Sequence, residues 1–115
     1  MDKLEKLCRE RQRRVKTLER DLQSLYQVML RSFPELTIVP DQRCGGYVAM
    51  HGDERKIELH WRGNALVVRS YGTRSRDKII INALEKITGI VVQKYQEYIP
   101  YQRGVEIASD FRISY

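Results

Sequence analysis

Residues 56–71, KIELHWRGNALVVRSY, decide the fold class of this chain. Ile57, Leu59 and Trp61 alternate with charged or polar residues, and a second apolar run follows the turn signal RGN at 62–64. Such alternation is typical of a strand with one buried face, and a Gly-Asn pair between two such runs is typical of a hairpin. The segment therefore predicts two antiparallel strands, with Trp61 in the core beneath a helix and the alternating polar side chains on a wet face.

Further strand signals lie on both sides of this hairpin. Upstream, residues 36–39 and 47–50 are short apolar runs, separated by a loop with paired glycines. Downstream, residues 90–95 and the alternation through residues 105–115 predict two C-terminal strands. The phase of that alternation breaks at Ser109-Asp110, which predicts a bulge. Residues 96–99 fit either a strand or a helix.

Two helical segments flank the strands. Residues 2–31 contain no Gly and no Pro, and the run Ser32-Phe33-Pro34 ends the helix, because a residue before proline is forced out of helical dihedrals. Such a helix is about 45 Å long, so we expect its N-terminal half, which is poor in apolar residues, to project. A second helix is predicted over residues 76–88, with Ser75 as its N-cap.

This order of elements predicts one α+β domain over residues 1–115. A long basic amphipathic helix (1–32) and a second helix pack on one face of an antiparallel sheet of about five strands, and residues 47–115 supply the meander, the second helix and two C-terminal strands. An a/d-type apolar stripe runs along the first helix, at Val15, Leu18, Leu22, Leu25 and Met29. The stripe is a candidate interface for a coiled-coil dimer, or it packs on the chain's own sheet.

The net charge of +6 is unevenly distributed. Residues 1–32 carry an excess of four cations, residues 33–78 an excess of two, and the remainder is neutral. This placement favours an anionic partner, either nucleic acid or an acidic protein surface. The first candidate site is a block in the N-terminal half of the first helix, at Arg9, Arg11, Arg13, Arg14 and Lys16. Nearby Glu residues at helical spacing offer the alternative of an ordinary salt-bridged helix.

A second candidate site lies at the start of the second helix. Arg74, Arg76 and Lys78 there surround backbone N–H groups that point out of the helix, an arrangement that suits a phosphate. A third candidate combines aromatic and cationic residues, at Tyr95, Tyr98, Tyr101 and Arg103. Aromatic rings beside cations suit stacking on unpaired bases, and they equally suit a protein interface.

Other classes of function receive little support from the residues. Cys44 beside Arg43, and Glu58 with His60 on one strand face, are the only catalytic candidates, and we expect no enzyme. The two cysteines and two histidines have no metal-ligand spacing, so we expect no metal and no cofactor. No apolar run approaches the length of a membrane span, and neither a secretory signal nor a disulfide framework is present, so we expect a cytoplasmic protein.

These observations lead to a functional hypothesis. The chain is a non-enzymatic binding protein that neutralises phosphates of nucleic acid or a nucleoprotein through the two basic sites, which converge on one surface. The alternative is an assembly or adaptor protein that forms a homodimer, or docks on a partner, through the first helix.

Overall fold

The computed structural model describes residues 2–41, 45–71, 74–92, 94–98 and 108–115, with Arg74 and residues 95–98 described by their backbone. These residues form two helices and six strands, in the order α1 (Lys3–Ser32), β1 (Thr37–Asp41), β2 (Gly46–His51), β3 (Glu54–Arg62), β4 (Ala65–Tyr71), α2 (Arg74–Thr88), β5 (Lys94–Tyr98) and β6 (Ala108–Ser114). The strands form one antiparallel sheet in the order β1-β2-β3-β4-β6-β5. The α+β class is confirmed, and the sheet has six strands where about five were expected.

Two tight turns define the two ends of the sheet. Gly52-Asp53 joins β2 to β3, and Gly63-Asn64 joins β3 to β4. In each turn the glycine comes first and has a positive φ, +60° and +59° respectively, as a type II′ hairpin turn requires. The strand ends at the first turn are called the β2–β3 end of the sheet, and the strand ends at the second turn are called the β3–β4 end.

One core joins both helices to one face of the sheet. Met29 and Leu25 of α1 and Ile80 and Leu84 of α2 are fully buried in the same cluster as the helix-facing strand residues, which are Ala49, Ile57, Leu59, Leu66, Val68, Phe111 and Ile113. Four members of the a/d stripe are therefore core residues of this chain: Leu18, Leu22, Leu25 and Met29 are all at most 3% exposed. The stripe packs on the chain's own sheet from Leu18 onward. The predicted interface is thus wrong for these four side chains, and Val15 alone of the five is exposed.

Polar contacts fix the path of α1 across the sheet. The Tyr115 hydroxyl donates to Asp21 at 2.6 Å, and the Tyr115 backbone N–H donates to Asn64 at the β3–β4 end at 2.8 Å. Tyr26 stacks on Tyr47 of β2 with ring centroids 4.2 Å apart. Because β1 follows α1 and begins at the β2–β3 end, α1 enters over the β3–β4 end and stops over the other.

The N-terminal half of α1 projects beyond the β3–β4 end, as predicted. The Asp2 carboxylate caps the helix by accepting the Glu5 backbone N–H at 2.8 Å, and no described residue before Leu18 is buried. The molecule measures 55 Å along its longest axis but only 26 and 24 Å across. A helix of 30 residues, about 45 Å long, accounts for this elongation.

Several local predictions were wrong. Trp61 is 38% exposed, because it lies at the β3–β4 end where α1 leaves the sheet. Ser75 lies inside α2, which begins at Arg74, two residues earlier than an N-cap at Ser75 would allow. The apolar run predicted at residues 36–39 is part of β1, but the strand continues through Pro40 to Asp41, as the edge of a sheet permits.

The C-terminal strands also differ from the predictions. Residues 90–92 lie outside any strand, and β5 covers Lys94–Tyr98 instead. The pairing of β6 with β4 runs through Ser109 and Asp110 without a shift. The irregularity lies on the other side of β6, between Lys94 and Gln96 of β5. Val105 and Ile107, expected to begin the last alternation, lie outside the described residues.

Candidate nucleic-acid interface

The basic block of α1 lies on the projecting half of the helix. Arg9, Arg11, Arg13, Arg14 and Lys16 are all exposed. None of them forms an ion pair with another described residue, and the only ion pair within α1 joins Arg20 to Asp21 at 3.5 Å. The alternative of a salt-bridged helix, with Glu5, Glu10 and Glu19 as partners, is therefore not observed in this part of the chain. The cationic side chains remain available to an external anion.

The helical repeat divides these cations between two sides of α1. At 100° per residue, Arg9 and Arg13 lie on the side opposite the buried Leu18. Five cations lie on this side of the helix, which faces away from the sheet. They are called the basic stripe and are Lys6, Arg9, Arg13, Lys16 and Arg20. Arg11 and Arg14 lie on the side that continues the apolar seam.

The second predicted basic site does not join the first. α1 ends, and α2 begins, at the β2–β3 end of the sheet, because an even number of strands separates the two helices. Arg76 and Lys78 follow in the first turns of α2, with Arg76 half-buried and Lys78 exposed. The projecting half of α1 lies beyond the opposite end, one strand length or about 23 Å away for the seven residues of β4. The expected convergence of the two basic sites on one surface is wrong.

The third predicted site falls mainly outside the described residues. Tyr95 and Tyr98 belong to β5, an outer strand of the sheet, and the structure describes their backbone alone. Tyr101 and Arg103 lie outside the described residues, as does the catalytic candidate Cys44 with its neighbour Arg43. The side chain of Arg74 in the second site is likewise outside them.

A cluster of buried charges on the helix-free face of the sheet was missed by the sequence analysis. Arg55 of β3 donates to Asp41 of β1 at 2.8 Å and to Glu58 at 3.3 Å. The Tyr71 hydroxyl of β4 donates to the same Glu58 oxygen at 3.0 Å. Burial, followed by the charge of Glu58, raises the pKa of Tyr71 to about 12.

The cluster extends across β4 to β6. Arg69 meets Asp110 in a two-point contact, with Nε to Oδ1 at 2.8 Å and Nη2 to Oδ2 at 3.1 Å. Its Nη1 atom lies 3.8 Å from the second carboxylate oxygen of Glu58. Asp110 and Glu58 are only 3% and 8% exposed. The prediction that this face of the sheet is exposed to solvent is therefore wrong at these positions. Both carboxylate oxygens of Glu58 therefore contact a donor. The network joins side chains of β1, β3, β4 and β6.

His60 lies on the same face and is the exception to this pairing. It is 2% exposed, and neither ring nitrogen has a hydrogen-bond partner among the described residues. Burial is the main cause that lowers its pKa, and the charge of Arg62 adds to this effect. The carboxylates of Glu58 and Asp41 oppose the shift, while Arg69 reinforces it. The imidazole is therefore held neutral in the folded chain at pH 7.

The protonation of His60 predicts a loss of stability in mild acid. Its folded pKa lies below the ordinary 6.5, so the unfolded chain binds the proton more readily, and the free energy of unfolding falls as the pH drops below about 6.5. Replacing the ring by His60→Phe removes this dependence. Urea unfolding at pH 7 and at pH 5 measures the change in the free energy of unfolding between the two pH values. His51→Gln, at the exposed end of β2, is the control and should show the same change as the wild type. An equal change for the wild type and His60→Phe would contradict the prediction.

Comparison of the chain with protein-family models, with curated proteins and with solved structures gives no match. Among the described residues, no helix is both long and apolar enough to cross a membrane. The same residues contain no group of three or more His, Cys, Asp or Glu side chains that could hold a metal ion.

Proposed function

We propose that this protein is a non-enzymatic binding protein that contacts the phosphate backbone of nucleic acid through the projecting half of α1. One observation supports this proposal above the others. Four of the five residues of the basic stripe lie on the projecting arm of α1, and three of these, Arg9, Arg13 and Lys16, have no carboxylate partner among the described residues. Cations without partners on an exposed arm repel one another, and the phosphates of a polyanion relieve this repulsion when they bind.

The dimensions of the stripe suit a phosphate backbone. Lys6 and Arg20 are 14 residues apart, which is about 21 Å along a helix. A nucleic-acid strand in a duplex advances about 3.4 Å per phosphate, so the stripe spans about six phosphates. The helix is exposed all round over residues 3–16, apart from the half-buried Glu10, so that a groove can receive it without contact with the sheet. The stripe consists of Lys and Arg alone, and these cations neutralise the phosphates of any sequence, so affinity with little sequence preference is expected.

The salt dependence of binding tests the proposal. Fluorescence anisotropy with a labelled duplex and a labelled single strand should show binding at low salt. For about four phosphates contacted on the duplex, the logarithm of the binding constant should fall with the logarithm of the salt concentration with a slope of about −3.6. The triple variant Arg9→Gln, Arg13→Gln, Lys16→Gln should weaken binding at least about tenfold and reduce the magnitude of this slope by nearly three.

The matched control removes charge at the other end of the molecule. Arg76→Gln with Lys78→Gln lowers the net charge at the start of α2, and it should leave the slope almost unchanged. An absence of binding at low salt, or an equal loss for both sets of variants, would overturn the assignment of the site to α1.

A further inference from the structure

The projecting half of α1 borders a cavity on the side that continues the apolar seam. The turn at Gly63-Asn64, at the β3–β4 end of the sheet, forms one wall. The helix supplies two apolar and two cationic side chains, which are Leu7, Val15, Arg11 and Arg14. The cavity has a volume of about 520 Å³. This volume lies within the range of about 300–1,000 Å³ that is usual for small-molecule sites.

Trp61 lies beside this cavity. A second, smaller cavity of about 60 Å³ shares Arg14, Val15 and Asn64 with the first and has Trp61 in its wall. Trp61 belongs to the helix-facing row of β3, yet it is 38% exposed because α1 leaves the sheet at this point. Part of the indole surface is therefore open to a ligand that fills the two adjoining cavities.

Arg11 and Arg14 are cations that the basic stripe does not include. Both are exposed, and neither forms an ion pair with another described residue. A guanidinium group binds phosphate oxygens through two parallel N–H donors, and it also stacks on planar rings. The cavity thus combines two cations for a phosphate with an exposed indole and two aliphatic side chains for a base.

We propose that the cavity binds one unpaired nucleotide of a single strand, with the phosphate on Arg11 and Arg14 and the base stacked on Trp61. This inference rests on the proposed function, which brings a nucleic-acid strand to α1. The bases of a duplex are paired and stacked on one another, so they offer no free face to an indole, whereas an unpaired base does. Single-stranded nucleic acid is therefore the substrate class that uses both sides of the arm.

One strand can contact the cavity and the basic stripe together. The two lie on opposite sides of α1, and a helix with its side chains is only about 10–12 Å wide. While one nucleotide occupies the cavity, the phosphates that precede or follow it remain free to pair with the outward cations. The cavity thus adds base stacking to the phosphate contacts and does not replace them.

The acidic residues of the lining favour a nucleotide over an acidic protein as the occupant. Glu10 lines the larger cavity, and Glu19 lines the smaller one beside Trp61. Neighbouring carboxylates of an acidic peptide would be repelled by both glutamates. A nucleotide has a single phosphate for the two arginines, and the amino group of its base is a donor that a glutamate can accept.

The fluorescence of Trp61 tests the stacking directly, because it is the only tryptophan of the chain. At low salt, a single-stranded oligonucleotide of mixed sequence should quench this fluorescence in step with the bound fraction that anisotropy measures. Three probes lack an unpaired base, namely a duplex of the same length, inorganic polyphosphate and poly-glutamate. None of them should quench Trp61, even where it binds to the basic stripe.

Substitutions at the cavity should separate the two forms of nucleic acid. Trp61→Leu should weaken single-strand binding at least about fivefold, the lower limit of stacking on one base, and leave duplex binding unchanged. Trp61→Phe retains an aromatic face and should keep most of the affinity. Arg11→Gln with Arg14→Gln should weaken single-strand binding more than duplex binding. The matched control, Arg76→Gln with Lys78→Gln, should leave both almost unchanged.

Two sets of outcomes would overturn the inference. Equal quenching by polyphosphate or poly-glutamate, or equal losses of single-strand and duplex binding in Trp61→Leu, would show that no base stacks on Trp61. A nucleoside monophosphate that binds as tightly as the strand would overturn the assignment to a strand. The triple variant of the basic stripe keeps the cavity intact, so its effect on duplex binding tests the proposed function separately. Weakened duplex binding in that variant, without quenching of the wild type by a single strand, would remove this inference alone.

Discussion

Arg69→Met should lower the free energy of unfolding by about 3–5 kcal/mol, the largest effect expected of a single substitution on the helix-free face of this sheet. The guanidinium of Arg69 touches Asp110 at 2.8 and 3.1 Å and approaches Glu58 at 3.8 Å. Methionine fills much of the same volume but removes the two-point contact from the buried Asp110 and one of the cations near Glu58, which keeps Arg55 at 3.3 Å. The buried negative charge is then less well compensated, and the folded state is destabilised. Urea unfolding followed by the fluorescence of Trp61 measures the change.

A second substitution distinguishes the energy lost with the ion pair from the energetic cost of leaving one buried charge unpaired. Asp110→Leu combined with Arg69→Met removes both members of the two-point contact, so the double variant should be more stable than Arg69→Met alone. Arg62→Met, at the exposed last residue of β3, is the matched control and should change stability by no more than about 0.5 kcal/mol. A cost below about 1 kcal/mol for Arg69→Met would show that the cluster does not hold the sheet together.

The local geometry of the fold was predictable because its signals are local. The strand over residues 65–71 follows from a Gly-Asn turn and a run of apolar residues, and β4 has the same bounds. The end of α1 follows from Pro34, and the projection of its N-terminal half follows from its length and the scarcity of apolar residues. Each of these inferences uses residues no more than a few turns apart in the chain.

The charged cluster was not predictable because its partners are distant in sequence. Asp110 lies 41 residues from Arg69, and Arg55 lies 14 residues from Asp41. Alternation along β3 shows that Glu58 shares a face with His60, but it does not show whether that face is covered. The pairing of charges depends on strand order and register, which short-range patterns do not fix.

The separation of the two basic sites depends on the number of strands between the helices, for which the sequence predicted three or so. The structure has four strands there, and each connection between them reverses the chain. An even number of antiparallel strands returns the chain to the end of the sheet from which it started, so α2 begins where α1 stops. Because the basic block lies near the start of α1, the two sites belong at opposite ends.

Gly46→Ala should destabilise the fold by about 3 kcal/mol, because β2 and β3 are too close at this point to accept a side chain. A Cβ built on Gly46 would overlap the carbonyl oxygen of Leu59, and it would lie 2.8 Å from the His60 Cα. All the contacted atoms belong to the backbone, so no side-chain rotation relieves the overlap. The first residue of β2 must instead move away from β3, and its pairing with Asp41 of β1 moves with it.

The matched control for this substitution is a glycine with open space around it. Gly52→Ala places a Cβ with no neighbour within 4 Å, and its cost is limited to the left-handed φ of +60°, about 1–2 kcal/mol. Gly46→Ala should cost more than this, although its φ is ordinary, and it should also speed amide hydrogen exchange where Gly46 faces Leu59 and His60. Displacement of Asp41 would stretch its 2.8 Å contact with Arg55, so the alanine at 46 should make a further Arg55→Met change less harmful. Equal destabilisation by the two alanine substitutions, with unchanged exchange in β2 and β3, would show that the close approach at Gly46 relaxes without cost, and that the charged cluster does not depend on this junction.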